Sequence, residues 1–125
     1  MAKILIVDDE PGYREPLCTV LAHEGHDVRA AASSTEGVAM VADFQPDLAI
    51  VDWMLRDQHD GVDVVLTLRA MTAHLRFILI SGYPTASLDA RLRNVPSCQF
   101  LAKPFTLTEL TAAIQAALKG APPEG

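Results

Sequence analysis

Apolar residues fall along this chain in two alternating patterns. Short, mostly apolar runs form the first: Lys3-Ile4-Leu5-Ile6-Val7, Asp47-Leu48-Ala49-Ile50-Val51, Phe77-Ile78-Leu79-Ile80 and Cys98-Gln99-Phe100-Leu101-Ala102, the first of them unbroken from Ile4 to Val7. A continuous run of this kind is what a parallel strand covered on both faces looks like. Longer stretches with helical spacing lie between them. Leu17, Val20 and Leu21 predict a helix from about Tyr13 to Glu24, with Pro16 in its first turn and Gly25 as a left-handed stop. Asp27 to Ala31 reads as a short second strand, with Val28 its one large apolar residue. Ser33-x-x-Glu36 is a capping box for a helix to about Asp43, with Val38, Val41 and Ala42 inward and Pro46 closing the segment. Asp60 and Asp63 open a third helix, to about Met71, with Val64, Leu68 and Met71 inward. A weaker helix is expected from about Ala86 to Arg93, on Leu88 and Leu92. Thr106-x-x-Glu109 is a second capping box, and Leu107, Leu110, Ile114, Ala117 and Leu118 make the last helix amphipathic.

Strand then helix, five times over with short connections, implies right-handed crossovers and a parallel sheet with helices on both faces. Such sheets take their ligand beyond the carboxyl ends of the strands, at a switch point in strand order. Four of the five strands carry polar residues at that end. Asp8-Asp9 follow the first, Asp52 ends the central one, Ser81 follows the fourth, and Lys103-Pro104 follow the fifth.

Composition narrows the picture. The 125 residues suit one domain, expected over residues 1–120, with residues 121–125 as a tail. A net charge of −6 argues against nucleic-acid binding, which needs a basic face. No apolar run reaches the roughly 18 residues of a membrane span. The N-terminus enters a strand at once and lacks a signal-peptide layout, so a cytoplasmic location is expected. Cys18 and Cys98 match no metal or redox spacing and read as core thiols. His23, His26, His59 and His74 read as surface residues.

The charge at the strand tips sets the chemistry. Asp8, Asp9 and Asp52 would crowd negative charge into one cleft, which requires compensation. Two compensators fit: the Lys103 ammonium and a magnesium ion, which takes one or two carboxylates, waters and a phosphoryl oxygen. The competing reading makes these aspartates mere turn and cap residues. That reading suits an isolated Asp better than a set gathered at matched strand ends.

Val7-Asp8-Asp9-Glu10, Asp47-Leu48-Ala49-Ile50-Val51-Asp52, Ile80-Ser81-Gly82 and Phe100-Leu101-Ala102-Lys103-Pro104-Phe105 together resemble the receiver domain of two-component response regulators. The resemblance runs from Lys3 to about Lys119, and its wording is similar to stand-alone receivers or those served by hybrid kinases. It implies a flavodoxin-like α/β fold: a doubly wound five-stranded parallel sheet in the order 2-1-3-4-5. It implies that Asp52 accepts a phosphoryl group from a sensor histidine kinase or histidine phosphotransfer protein and that a protein-binding surface then switches. Asp9, Asp52 and the backbone carbonyl of Met54 match the direct Mg2+ ligands, and Asp8 matches a ligand through water. Ser81 matches the hydroxyl that moves to the phosphoryl group, Lys103 the lysine that pairs with it, and Phe100 the switching aromatic. Lys103-Pro104 matches a peptide bond that is usually cis. The chain would be a signalling phosphoprotein rather than an enzyme, assisting only its own phosphorylation and dephosphorylation, with no nucleic-acid or membrane contact of its own.

Three departures stand out. The loop from Asp52 to Gly61 is one residue longer than usual, with Arg56 where proline is common. Phe100 lacks the hydroxyl of the frequent tyrosine. Met54 and Tyr83 occupy positions that influence phosphate hydrolysis; an apolar Met54 cannot orient water and Tyr83 is bulky, which predicts a long-lived aspartyl phosphate. Two other readings compete. An aspartate-nucleophile phosphatase of the haloacid dehalogenase type would place its aspartates two apart, whereas Asp8 and Asp9 are adjacent. A flavodoxin-like cofactor binder would need a phosphate-cradling loop where Asp8-Asp9-Glu10-Pro11 repels phosphate. No helix-turn-helix or enzymatic domain follows Gly120, which fits either a stand-alone receiver or one separated from its output domain.

Overall fold

The computed structural model describes residues 2–53, 61–72, 74–82 and 98–119. Among them lie β1 (Lys3–Val7), α1 (Pro11–His23), β2 (Asp27–Ala31), α2 (Ser34–Phe44), β3 (Leu48–Asp52), α3 (Gly61–Met71), β4 (Arg76–Ser81), β5 (Cys98–Ala102) and a last helix, here α4 (Leu107–Lys119). All strand pairs are parallel and the order is β2-β1-β3-β4-β5, the expected 2-1-3-4-5.

Two cores flank this sheet. Leu5, Val7, Ala49, Val51, Phe77 and Leu79 share one cluster with Val41 and Phe44 of α2 and Val64, Val65 and Leu68 of α3. Ile4, Ile6, Leu48, Ile50, Ile78 and Ile80 share the other with Leu17 and Leu21 of α1 and Leu110, Ile114 and Ala117 of α4. Alternate residues of one strand thus supply both cores, which is why β1, β3 and β4 show no polar alternation. β5 is an edge strand, and Phe100 and Ala102 on it are exposed.

Helix ends follow the expected chemistry in three places. Ser33 Oγ accepts the Glu36 backbone N–H at 3.1 Å. Thr106 Oγ1 accepts from Glu109 N at 3.0 Å, while Thr106 N donates to Glu109 Oε1 at 2.8 Å, a reciprocal box. Gly25 stops α1 with φ +96°.

Several details differ from the sequence reading. α1 begins at Pro11, two residues early, because proline at the first helical position loses no bond. Pro16 consequently sits inside α1, past its first turn, and leaves the Gly12 carbonyl without its helical donor. Ala42, Met71 and Leu107 were expected inward and are exposed. Their places are taken by Phe44 in α2 and Val65 in α3, so the buried stripes are rotated from the simplest three-four spacing. His26 is half-buried rather than decorative, its Nδ1 accepting the Ala2 N–H at 3.1 Å. Cys18 is half-buried and packs against the α1 core. The helix expected over Ala86 to Arg93, and the expectations for Arg56, His59, Asp60 and Tyr83, lie outside the described residues.

Candidate functional site

Strand order brings the polar tips together. β1 and β3 are neighbours in the sheet although β2 separates them in sequence, so the crossovers part there and leave a crevice at the carboxyl edge. Val7 is in register with Val51. The next residues, Asp8 and Asp52, therefore emerge side by side, only 2% and 4% exposed. Ser81 ends β4 fully buried, in register with Ala102, and its carbonyl accepts the Lys103 N–H at 2.9 Å. The Lys103–Pro104 peptide is cis, as the resemblance implies.

Lys103 starts from the edge strand, two strand spacings (about 10 Å) from β3. Its side chain reaches back across the sheet edge. Nζ stands 3.5 Å from Asp52 Oδ2, 3.6 Å from Asp8 Oδ2 and 3.4 Å from Glu10 Oε1. It also lies 3.8 Å from the centroid of the Tyr13 ring. The Lys103 side chain is only 10% exposed.

The Asp8 loop is tightly tied. Oδ1 accepts the Glu10 backbone N–H at 2.9 Å, an Asx-type turn that folds Glu10 back toward the crevice. The Asp8 carbonyl accepts from Arg14 Nη1 at 2.8 Å. Burial pushes the Asp8 carboxyl up, against the pull of the Glu10 N–H; Asp52 raises it further and Lys103 opposes, leaving it at about 6. Burial disfavours the Lys103 ammonium, yet Asp52, Asp8 and Glu10 outweigh that and hold its pKa above the usual lysine value.

Asp8 Oδ2 is buried and accepts no hydrogen bond among the described residues. Together with Asp52 and Glu10 it belongs to a set whose carboxylate oxygens lie within 4.8 Å of one another. A set that offers carboxylate oxygens alone suits a hard divalent cation. Asp9, the next residue, is not one of the three, and Met54 lies outside the described residues. Glu10 and Tyr13 are the site residues that the sequence reading did not single out. Glu10 stood inside the acidic motif, whereas nothing in the local pattern marked Tyr13.

An open, doubly wound α/β sheet with an acidic, lysine-compensated crevice at its switch point is the class that fold and site define. Within that class, the chain belongs to the response regulator receiver domain family, whose model matches residues 4–115. It is 32% identical over 122 residues to the DNA-binding transcriptional regulator NtrC of Azospirillum brasilense, covering 98% of this chain and 25% of that protein. It is 31% identical over 122 residues to the response regulator MprA of Mycobacterium tuberculosis, covering 98% of this chain and 53% of that protein. The chain thus spans about a quarter of the first relative and about half of the second. A solved receiver domain protein of Clostridium thermocellum superposes with a TM-score of 0.83 at 30% identity, over 95% of both chains.

Receivers of this family take a phosphoryl group in signalling, bind Mg2+ at an acidic pocket and interact with histidine kinases or phosphotransfer proteins; they are typically not enzymes. The haloacid dehalogenase-type phosphatase reading finds no support. Among the described residues, no helix is long and apolar enough to cross a membrane.

Proposed function

We propose that Asp52 is the phosphoryl acceptor of this receiver and that Lys103 and Ser81 assist it. The observation that carries this reading is the Lys103 ammonium, 3.5 Å from Asp52 and 3.6 Å from Asp8 in a nearly closed crevice. An Asp52 carboxylate oxygen attacks the phosphorus of a partner's phosphohistidine. The phosphorus–nitrogen bond breaks, and its electron pair returns to the imidazole. Transfer of this kind depends on positioning and charge stabilisation more than on covalent help from the protein. Lys103 shifts its pairing toward the phosphoryl oxygens, and the Ser81 hydroxyl adds a hydrogen bond. Asp9, Asp52 and the Met54 carbonyl would hold Mg2+ directly and Asp8 through water, with Glu10 near Asp8 and Asp52. Bound there, the ion would neutralise phosphoryl charge.

The new group brings roughly two negative charges, enough to bias a two-state element. Phe100, 37% exposed on the edge strand, is the proposed responder, by packing alone. The receiver is proposed over residues 1–120 with residues 121–125 as tail. Its partners are a sensor histidine kinase or histidine phosphotransfer protein and a downstream protein target. It works in the cytoplasm and turns over nothing but its own phosphate. Incubation with Mg2+ and acetyl phosphate, read by intact mass, tests the assignment. The wild type gains one phosphoryl mass and Asp52→Ala gains none; a gain that survives in Asp52→Ala refutes it.

A further inference from the structure

We infer that Tyr13 is a positioning residue for Lys103: its ring face holds the ammonium over the acceptor. The inference rests on the Lys103 and Asp52 roles proposed above. The geometry is specific. Nζ lies 3.8 Å from the ring centroid, well inside the roughly 6 Å reach of a cation–π contact. The contact is dry, since the Lys103 side chain is 10% exposed. The ring is itself braced: its centroid stands 6.3 Å from that of Phe105, two residues after Lys103, at an interplanar angle of 43°. Tyr13 therefore ties the first turns of α1 to the loop that carries the lysine.

What the ring supplies differs from what the carboxylates supply. Asp8, Asp52 and Glu10 attract the ammonium by opposing its charge. The quadrupole of an aromatic face attracts it without neutralising it. An ammonium walled on one side by a ring keeps its full charge available to incoming phosphoryl oxygens. It also loses fewer waters when they arrive. A purely structural reading makes Tyr13 a packing residue between α1 and the Phe105 loop. That reading predicts a change in stability but none at the lysine.

The experiment compares wild type, Tyr13→Phe and Tyr13→Leu, each checked for folding by circular dichroism. The first readout is the NMR shift of the Lys103 ε-methylene protons, which a ring face moves upfield whether or not the protein is phosphorylated. Wild type and Tyr13→Phe show the upfield shift, and Tyr13→Leu loses it. The second readout is the rate of phosphoryl gain from acetyl phosphate with Mg2+. Tyr13→Phe stays within about twofold, and Tyr13→Leu slows by roughly thirtyfold, the scale of a desolvated cation–π contact. An unshifted methylene in the wild type overturns the inference even if Tyr13→Leu fails to fold. So does a Tyr13→Leu rate equal to wild type, or a Tyr13→Phe rate as slow as Tyr13→Leu. Failure of the acceptor assignment registers separately, as a mass gain in Asp52→Ala with the methylene shift intact.

Discussion

Replacing Asp8 by asparagine removes a charge that the fold holds at a cost. Asp8 is 2% exposed, and burial with Asp52 nearby raises its carboxyl from the usual 3.8 to about 6. A raised carboxyl means that the folded state binds its proton more tightly than the unfolded chain does. Stability from this group is therefore full below about pH 4 and is lost as pH rises toward 6. At about 1.4 kcal/mol per pH unit, the penalty at pH 7.5 has a ceiling of about 3 kcal/mol, and solvent screening lowers it. At pH 4 the same linkage leaves only about 0.5 kcal/mol. Asn keeps an acceptor oxygen for the Glu10 N–H, so the Asx-type turn survives the change. Asp8→Asn is thus expected to be more stable than wild type by about 2 kcal/mol at pH 7.5 without Mg2+, and nearly equal to it at pH 4. Urea unfolding followed by Trp53 fluorescence measures both; Trp53 is the single tryptophan and is buried beside the site. Added Mg2+ should shrink the difference by stabilising the wild type through binding to the folded state. Equal stabilities at pH 7.5, or a gain larger at pH 4 than at pH 7.5, would refute the assignment of Asp8 as an under-compensated buried carboxylate.

Two further substitutions probe other parts of the structure. Gly37→Ala should destabilise the fold by about 1–2 kcal/mol in urea unfolding, although alanine favours helix, because its Cβ would stand 2.8 Å from Val7 Cγ2; a stabilised variant would show that α2 can move off β1 freely. Met54→Asn should shorten the life of the aspartyl phosphate by giving water an orienting group, with decay followed by intact mass after acetyl phosphate is removed; equal lifetimes would reject the shielding argument.

The inner strands were legible because they are buried on both faces and so carry uninterrupted apolar runs, as in Ile4 to Val7 and Leu48 to Val51. Helix faces were legible only in part. Val41, Leu68 and Ile114 could be assigned inward from spacing. Met71 and Leu107 could not be separated from them, because periodicity reports which residues share a stripe and not how far the neighbouring layer extends. Pro16 shows a related limit: the start of a helix depends on where the preceding turn releases the chain, and the Asp8 turn does so at Pro11. Asp8, Asp52 and Lys103 were legible as a group because each terminates a strand, and strand ends converge by topology alone. Tyr13 and Glu10 were not, because their approach to Lys103 depends on how the first turn of α1 packs against the loop after β5.

Those two residues change how the crevice balances. Counting Asp8, Glu10 and Asp52 against Lys103 leaves two negative charges when every carboxylate is ionised. A phosphoryl group on Asp52, the proposed acceptor, would add more negative charge to a region with little water to screen it. The ammonium cannot offset all of this, since it already faces three carboxylates within 3.6 Å. The Asp8 proton can relieve the site only below about pH 6, where the carboxyl is neutral. At neutral pH a divalent cation would supply the balance, and Asp8 Oδ2, which accepts no hydrogen bond among the described residues, is an oxygen that could receive one. The same mismatch makes the site responsive: a crevice already balanced by its own side chains would gain little from a cation and would resist a phosphoryl group. Tyr13 fits this logic because it secures Lys103 without spending any of the ammonium's charge.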